Sequence, residues 1–372
     1  MKDGLNIGVV GAGGFSAFAV NAFLKIKGVR IIAITDIKKE NAVQMAKTCD
    51  AIVANDINAL LQNENIDLIY VATPPFLHYQ QSKMALLAGK HVICEKPAAL
   101  KTSEAEELSS LAISHDLLYV VNLMQRYNPL YDVVKKIIKG KVLGNFLHGF
   151  FENYASDENL NSDHWFWNGS KSGGIFIEHG VHFFDMFEGW LGKGEVVNAL
   201  QLHRPKAEKI TDRVQATVMY KQGTVNFYHG FDQPKILDRQ EMRLLFEHGE
   251  ITLYGWIPIK MKLHGLVTDK QLQYLQELTG KSKIVYSGDV QTKNKKVKGR
   301  FTKIIFDKEI TIESGNADKQ KTYQQLLINM LTDQWNWIRD RSHGRKIDGE
   351  NAVASLRVAE EAAKTALKFN YA

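Results

Sequence analysis

The stretch NIGVVGAGGFSAF, residues 6–18, opens on an apolar run, Ile7 to Val10, that stops at Gly11 and resumes with helical period after Ser16. A glycine-rich turn between a strand and a helix is where backbone N–H groups and the helix N-terminus hold a dinucleotide pyrophosphate, provided the turn sits in a β-α-β unit. Gly11 permits the tight turn and Gly13 lets the backbone approach the pyrophosphate. The third position asks for a small residue; here it is Ser16, whose hydroxyl adds a donor for a phosphate oxygen. Gly14 and Phe15 belong to the same cofactor-binding loop. The competing reading is a plain β-turn-α connection.

Outward from that loop, Phe15, Phe18, Ala19, Ala22, Phe23 and Ile26 recur at the spacing of one helix face. Strand-length apolar runs follow at Val29 to Ile34, Ala51 to Ala54, Leu68 to Ala72, His91 to Cys94 and Leu117 to Val121, separated by helical segments. The alternation predicts an α/β domain with a doubly wound parallel sheet, a Rossmann arrangement closing near residue 124, so that residues 1–124 form the dinucleotide-binding domain. Asp36 follows the second strand, where a carboxylate accepts from the adenosine ribose and repels a 2′-phosphate, which favours NAD over NADP. Lys38 and Lys39 soften that discrimination, and capping of the next helix by Asp36 is the alternative.

Beyond a helix at Pro129 to Lys139 the pattern changes. Asn145 to Tyr154, Glu195 to His203, Asp212 to Tyr220 and Thr224 to Phe231 read as longer strands, with a hairpin turn at Lys221-Gln222-Gly223; Glu241 to Phe246 and Glu250 to Tyr254 repeat the arrangement around His248-Gly249. Residues 125–372 are therefore expected to form an α+β domain with a large, mostly antiparallel sheet, whose apolar alternation would expose a large patch unless copies of the chain associate through it. Residues 258–316 read as an elaboration on that sheet, without an assigned role. A terminal helix, Glu350 to Lys368, carries Ala352, Leu356, Ala359, Ala363 and Leu367 on one face and is expected to pack back on the body.

Composition narrows the function classes. With 372 residues, 45% hydrophobic and 24% charged, the chain reads as a globular protein. The net charge of +6 comes from scattered, interleaved charges, which argues against nucleic acid. Cys49 and Cys94 suggest neither a disulfide framework nor a metal motif. The first strand starts within five residues of Met1 and no apolar run reaches about 18 residues, so a cytoplasmic location, no membrane span and no signal peptide are expected.

Three further clusters carry chemistry. Glu95-Lys96-Pro97 ends the fifth strand, and ligands of open α/β sheets bind beyond the carboxyl ends of strands. Thr73-Pro74-Pro75 and His78 follow the fourth strand in the same way, so Thr73, Pro74, His78, Glu95 and Lys96 are expected to line the cofactor cleft. Gly173 to Asp185, GGIFIEHGVHFFD, places Glu178 and His182 four apart on a helix, where a carboxylate beside an imidazole raises its basicity and suits it to remove an alcohol proton. His179 with His182 and Glu178 is too weak a set to imply a metal, and none is expected. Trp165 and Trp167 precede that helix and are candidates for stacking on a sugar ring, with core packing as the alternative.

GAGGFS, then ATPPFLH with EKP, then GG-x4-E-x-G-x-H-x2-D stand in one order that resembles the family of glucose-fructose oxidoreductase, inositol dehydrogenase and MocA over nearly the whole chain. The resemblance implies a Rossmann domain followed by an open-sheet domain, NAD or NADP as cofactor, Lys96 beside the substrate, His182 as the acid/base, and a cis peptide before Pro97. Glu178 stands where the family more often has aspartate. The implied reaction is hydride transfer between nicotinamide and a secondary alcohol or ketone of a sugar, cyclitol or related polyol, in a homodimer or homotetramer formed through the open sheet. In that reading Lys96 hydrogen-bonds the reacting oxygen, Glu178 orients His182, and the active site forms between the two domains. The alternatives are an NAD-dependent glycosidase-type hydrolase with transient hydride transfer, and a dinucleotide-binding sensor without turnover.

Overall fold

The computed structural model describes residues 4–204, 207–280, 282–287, 293–299, 303–315 and 317–370. The chain forms two compact units, neither continuous in sequence. The first takes the chain up to Tyr127, returns at Asn161–Asp185 and again at Tyr323–Thr365. The second takes Asn128–Leu160, Met186–Thr322 and the segment from Ala366. The chain first passes between the units after Tyr127, and its later returns depend on packing between distant segments, which strand and helix patterns do not carry.

In the first unit, β1 (Leu5–Val10), β2 (Val29–Thr35), β3 (Ile52–Val53), β4 (Leu68–Val71), β5 (His91–Cys94) and β6 (Tyr119–Val121) form a parallel sheet in the order β3-β2-β1-β4-β5-β6. β1, β4, β5 and β6 are almost wholly buried, which is why they read as unbroken apolar runs rather than alternating ones. The order reverses between β1 and β4, the crevice where ligands of such sheets sit. The peptide joining Lys96 to Pro97 beyond β5 is cis. Helix Gly349–Thr365 packs on helix Thr102–Ser114, with Ala352, Leu356 and Ala359 buried and the Thr102 N–H donating to Glu360 Oε2 at 2.9 Å. That helix stops at Thr365, short of the expected Lys368, so Leu367 lies on a strand and not on the apolar helix face.

The second unit is built on a ten-stranded mixed sheet made of β7 (Phe146–Tyr154), β8 (Glu195–Arg204), β9 (Ala207–Tyr220), β10 (Gly223–Gly230), β11 (Arg239–Phe246), β12 (Gly249–Tyr254), β13 (Lys260–Val267), β14 (Lys283–Ser287), β17 (Lys308–Glu313) and β18 (Leu367–Asn370); β15 (Lys295–Lys298) and β16 (Lys303–Phe306) form a separate hairpin. Its order is β14-β17-β13-β12-β11-β7-β10-β9-β8-β18, with parallel pairs only at β7/β10 and β8/β18. Alternation is clean where one face is buried: Val214, Ala216, Val218 and Tyr220 of β9 point inward, with Gln215 and Thr217 between them. Phe227 of β10 meets Phe187 edge-on at 5.1 Å, and Trp190 stacks on Tyr131 of helix Pro129–Lys139 at 5.2 Å. Residues 258–316, which had no clear period, supply β13 to β17 and helix Asp269–Thr279, started by a capping box between Thr268 and Gln271.

Candidate functional site

All the sequence-selected site residues lie in the first unit. Gly11 takes φ +94°, and a Cβ there would stand 2.4 Å from the Ala72 carbonyl oxygen, so the turn closes against the end of β4 and only glycine fits. At Gly13 and Gly14 a Cβ would meet nothing within 4 Å, so this stretch of backbone faces open space. Gly13 is the N-cap of helix Gly14–Phe23, with no side-chain cap and no acidic residue in the first turn, which leaves the positive helix end free for an anion. The Ser16 Oγ at that end is buried with no hydrogen-bond partner among the described residues. These features fit a dinucleotide pyrophosphate held by the Gly13 to Ser16 backbone and the Ser16 hydroxyl. Asp36 ends β2 and ties the loop to itself: its Oδ2 accepts from the Ala12 N–H at 2.6 Å and its Oδ1 from the Lys38 N–H at 2.7 Å. Each oxygen keeps a second lone pair for a ribose hydroxyl. Phe15 is half-exposed and packs at 6.0 Å against Tyr323 of helix Lys319–Arg339, a helix and an aromatic contact that the sequence reading missed.

At the carboxyl end of β5, Lys96 and Glu178 meet. The Lys96 ammonium ion-pairs with the Glu178 carboxylate and also donates to the Glu178 main-chain carbonyl at 2.6 Å, and both side chains are largely buried. Glu178 lies in a π-helical turn, Phe176–Gly180, that precedes helix Val181–Leu191. A π-turn bonds residues five apart, so the four-residue spacing to His182 no longer sets a shared face there, and the partner shown for the carboxylate is Lys96. Gly173 and Gly174, at φ +79° and +83°, end the short helix Gly169–Ser172 and let the chain enter that turn. His182 is buried at 2% exposure; burial first, then the Lys96 charge, pushes its pKa well below the ordinary value. The imidazole is therefore neutral at neutral pH, the form that accepts a proton. Arg126 and Asp185 form a bidentate buried pair, Nε to Oδ2 at 2.8 Å and an NH2 to Oδ1 at 2.7 Å, which pins the helix one turn beyond His182.

Around the loops that leave β4 and β5, Thr73, His78 and Glu95 each hydrogen-bond to protein groups. Thr73 Oγ1 donates to Gln81 Oε1 at 2.6 Å, and Pro74 precedes the 3-10 turn Pro75–Leu77. His78, at 1% exposure, has its ring nitrogens on two main-chain carbonyls, Pro97 at 2.7 Å and Thr73 at 2.6 Å. Glu95 is buried between neighbouring strands: its Oε1 accepts from the Tyr70 hydroxyl at 2.6 Å and from Asn122 Nδ2 at 2.8 Å, and burial pushes its pKa up to about 7. Tyr70 and Asn122 escaped the sequence reading because they sit in or beside apolar strands. Trp167 is buried edge-on against Phe166 at 4.8 Å, which leaves the partly exposed Trp165 as the indole available to a ligand.

A parallel sheet with an uncapped glycine turn at its switch point, and a buried lysine-carboxylate pair at the end of the next strand, define a dinucleotide-binding protein with a polar reaction centre. Models of two family domains match: the oxidoreductase family with NAD-binding Rossmann fold at residues 5–123, and the GFO/IDH/MocA C-terminal domain at residues 131–252. The chain belongs to the GFO/IDH/MocA oxidoreductase family, and its Rossmann domain is of the NAD-binding kind. Among curated relatives, it is 28% identical to glucose-6-phosphate 3-dehydrogenase of Bacillus subtilis over 48% of this chain and 52% of that one. It is also 28% identical to 2,7-anhydro-N-acetylneuraminate hydratase of Mediterraneibacter gnavus, over 50% and 48%. The chain spans about half the length of these relatives. In fold it is similar to a 3-ketoreductase from Actinomadura kijaniata solved with NADP and TDP-benzene, with a TM-score of 0.76, 16% identity and coverage of 99% and 100%. A dehydrogenase from Bordetella pertussis solved with NADH and UDP-GlcNAcA gives a TM-score of 0.77 at 18% identity, covering 98% and 96%.

Proposed function

We propose that the protein is an NAD(P)-dependent dehydrogenase acting on a secondary alcohol or ketone of a sugar, cyclitol or related polyol. The observation that carries the reading is the Lys96 ammonium held in a largely buried ion pair with Glu178, in the same compact unit as a buried neutral His182. Nicotinamide, when bound, supplies the hydride acceptor or donor. Lys96, with three donors, keeps N–H capacity for a substrate oxygen and stabilises negative charge developing on it. His182 takes the hydroxyl proton in oxidation and returns it in reduction, for which a neutral imidazole is required. Glu178 holds Lys96 in station and balances its charge. Gly11, Gly13, Gly14, Phe15, Ser16 and Asp36 hold the dinucleotide, and Trp165 offers a face to the sugar ring. The names of relatives support a sugar-type substrate: a glucose-6-phosphate 3-dehydrogenase in sequence, and a 3-ketoreductase and a UDP-GlcNAcA-bound dehydrogenase in fold.

The hydratase among the relatives favours a second reading, in which the hydride is returned within each turnover and no reduced cofactor accumulates. A panel of sugars, inositols, sugar acids and nucleotide sugars, followed both by NADH absorbance and by product analysis, separates the two. Conversion without absorbance selects the second reading, and neither signal across the panel removes both. Assembly through the ten-stranded sheet in the cytoplasm belongs to the same proposal. Met219 and Leu245 are exposed in one cross-strand row with Thr224 and His148 between them. Light scattering that gives a monomer at micromolar concentration removes that part.

A further inference from the structure

His78 faces two acceptors. Its Nδ1 lies 2.7 Å from the Pro97 carbonyl oxygen and its Nε2 lies 2.6 Å from the Thr73 carbonyl oxygen. A carbonyl has no proton to give, and a neutral imidazole has one N–H and one lone pair. With a neutral ring, one of these contacts sets a nitrogen lone pair against an oxygen lone pair at hydrogen-bond distance. Only the imidazolium, with two N–H groups, satisfies both contacts.

We infer that His78 is a proton-dependent tie between the loops leaving β4 and β5: as imidazolium it donates to Thr73 and Pro97 together, and as imidazole it keeps only one of them. Pro97 follows Lys96, so a bond to the Pro97 carbonyl holds the chain one residue beyond the lysine. His78 is thus a positioning residue, acting on the site through Lys96.

Burial and the Lys96 ammonium pull the His78 pKa down, the two carbonyls and the Glu178 carboxylate pull it up, and the net direction is below the ordinary value. His78 also opens helix His78–Leu87, whose positive end opposes a further charge. The sign follows: the doubly bonded form is populated on the acid side of the ordinary histidine range, and its second bond is lost as pH rises through the lowered pKa.

The test uses the full chain labelled with 15N-histidine, with His78 assigned by the signal lost in His78→Asn. Long-range 1H–15N correlation is expected to show both ring nitrogens protonated at the acid end and a single N–H tautomer above. One nitrogen remaining unprotonated down to about pH 5 overturns the tie. The effect on Lys96 rests on the cofactor and substrate reading above, so a separate readout addresses it: the NADH dissociation constant by fluorescence across the same pH range. Binding by the parent is expected to weaken about tenfold as the bond is lost, the size of one hydrogen bond, and His78→Asn is expected to lack that dependence. The same dependence in parent and variant means the tie does not reach the site, and the positioning role falls. Failure of the sugar panel leaves the NMR result standing, so the two readings fail separately.

Discussion

The Lys96 ammonium is held twice by one residue: the Glu178 carboxylate pairs with it, and the Glu178 main-chain carbonyl accepts from it at 2.6 Å. Removing either charge leaves the other buried without its partner. Glu178→Ala is expected to lower stability by about 2 kcal/mol, below the 3–5 kcal/mol of a fully buried pair because both groups keep some exposure. Glu178→Gln retains an acceptor and is expected to cost less. Lys96→Ala lowers kcat and also raises KM, since a donor to the reacting oxygen is lost. Urea midpoints beside steady-state kinetics check the set. Equal midpoints for all three variants and the parent would show the pair to be energetically idle.

His182 gives a pH signature. Its pKa lies well below the ordinary value because burial and Lys96 disfavour the imidazolium, so the proton-accepting form persists into acid. The acid limb of kcat/KM is expected below the usual histidine range. His182→Ala is expected to reduce kcat by about 10² to 10⁴ with little change in cofactor affinity. Near-parental turnover in that variant would pass the role of base to Lys96.

Asp36 serves cofactor choice and loop shape at once. Its carboxylate already accepts from Ala12 and Lys38 N–H groups, so it sits where a 2′-phosphate would be repelled. NAD is expected to bind more tightly than NADP, and Asp36→Ser to narrow the gap and weaken both by loosening the turn. Fluorescence titration of NADH and NADPH checks it; equal affinities in the parent would refute the assignment.

Arg126 and Asp185 make a two-point pair at 1% exposure for the aspartate, three residues beyond His182. Asp185→Ala strands a buried guanidinium and is expected to cost about 3 to 5 kcal/mol. A melting temperature unchanged within about 1 °C would deny the pair its anchoring role.

The sheet of the first unit was legible because the constraint is local. β5 at His91–Cys94 and helix Pro129–Lys139 fall at the expected bounds, since buried parallel strands and an amphipathic helix declare themselves within a few residues. Gly11 was legible for the same reason. What escaped depends on distant partners. The spacing of Glu178 and His182 predicts a shared helix face, but a π-turn leaves no periodic mark, and the pairing of Glu178 with Lys96 spans 82 residues. The return of Asn161–Asp185 and Tyr323–Thr365 to the first unit is likewise set by packing, and it brings Lys96, Glu178 and His182 into one compact unit. The place of His78 after β4 predicts a residue at the cofactor cleft, and what the sequence does not show is that its ring nitrogens meet two main-chain carbonyls.

Glu95 supplies a stability test that needs no substrate. It is buried, its Oε1 accepts from Tyr70 and Asn122, and its pKa is pushed up to about 7, chiefly by burial, against the lowering effect of those bonds and of Lys96. A carboxyl whose folded pKa exceeds its unfolded value contributes stability that is complete below the unfolded value and is lost as pH rises through the folded one. The unfolded reference is 4.5, so the loss falls between about 4.5 and about 7. It amounts to at most about 3 kcal/mol, from 1.36 kcal/mol per unit. Glu95→Gln keeps an acceptor oxygen for Tyr70 and Asn122 but has no proton to lose. Relative to that variant, the parent is expected to become progressively less stable between about pH 4.5 and about pH 7, as read from urea midpoints at several pH values. A stability difference between the two that stays constant over that range would mean that Glu95 titrates in the fold as it does in the unfolded chain, and that its burial is relieved by contacts other than those of Tyr70, Asn122 and Lys96.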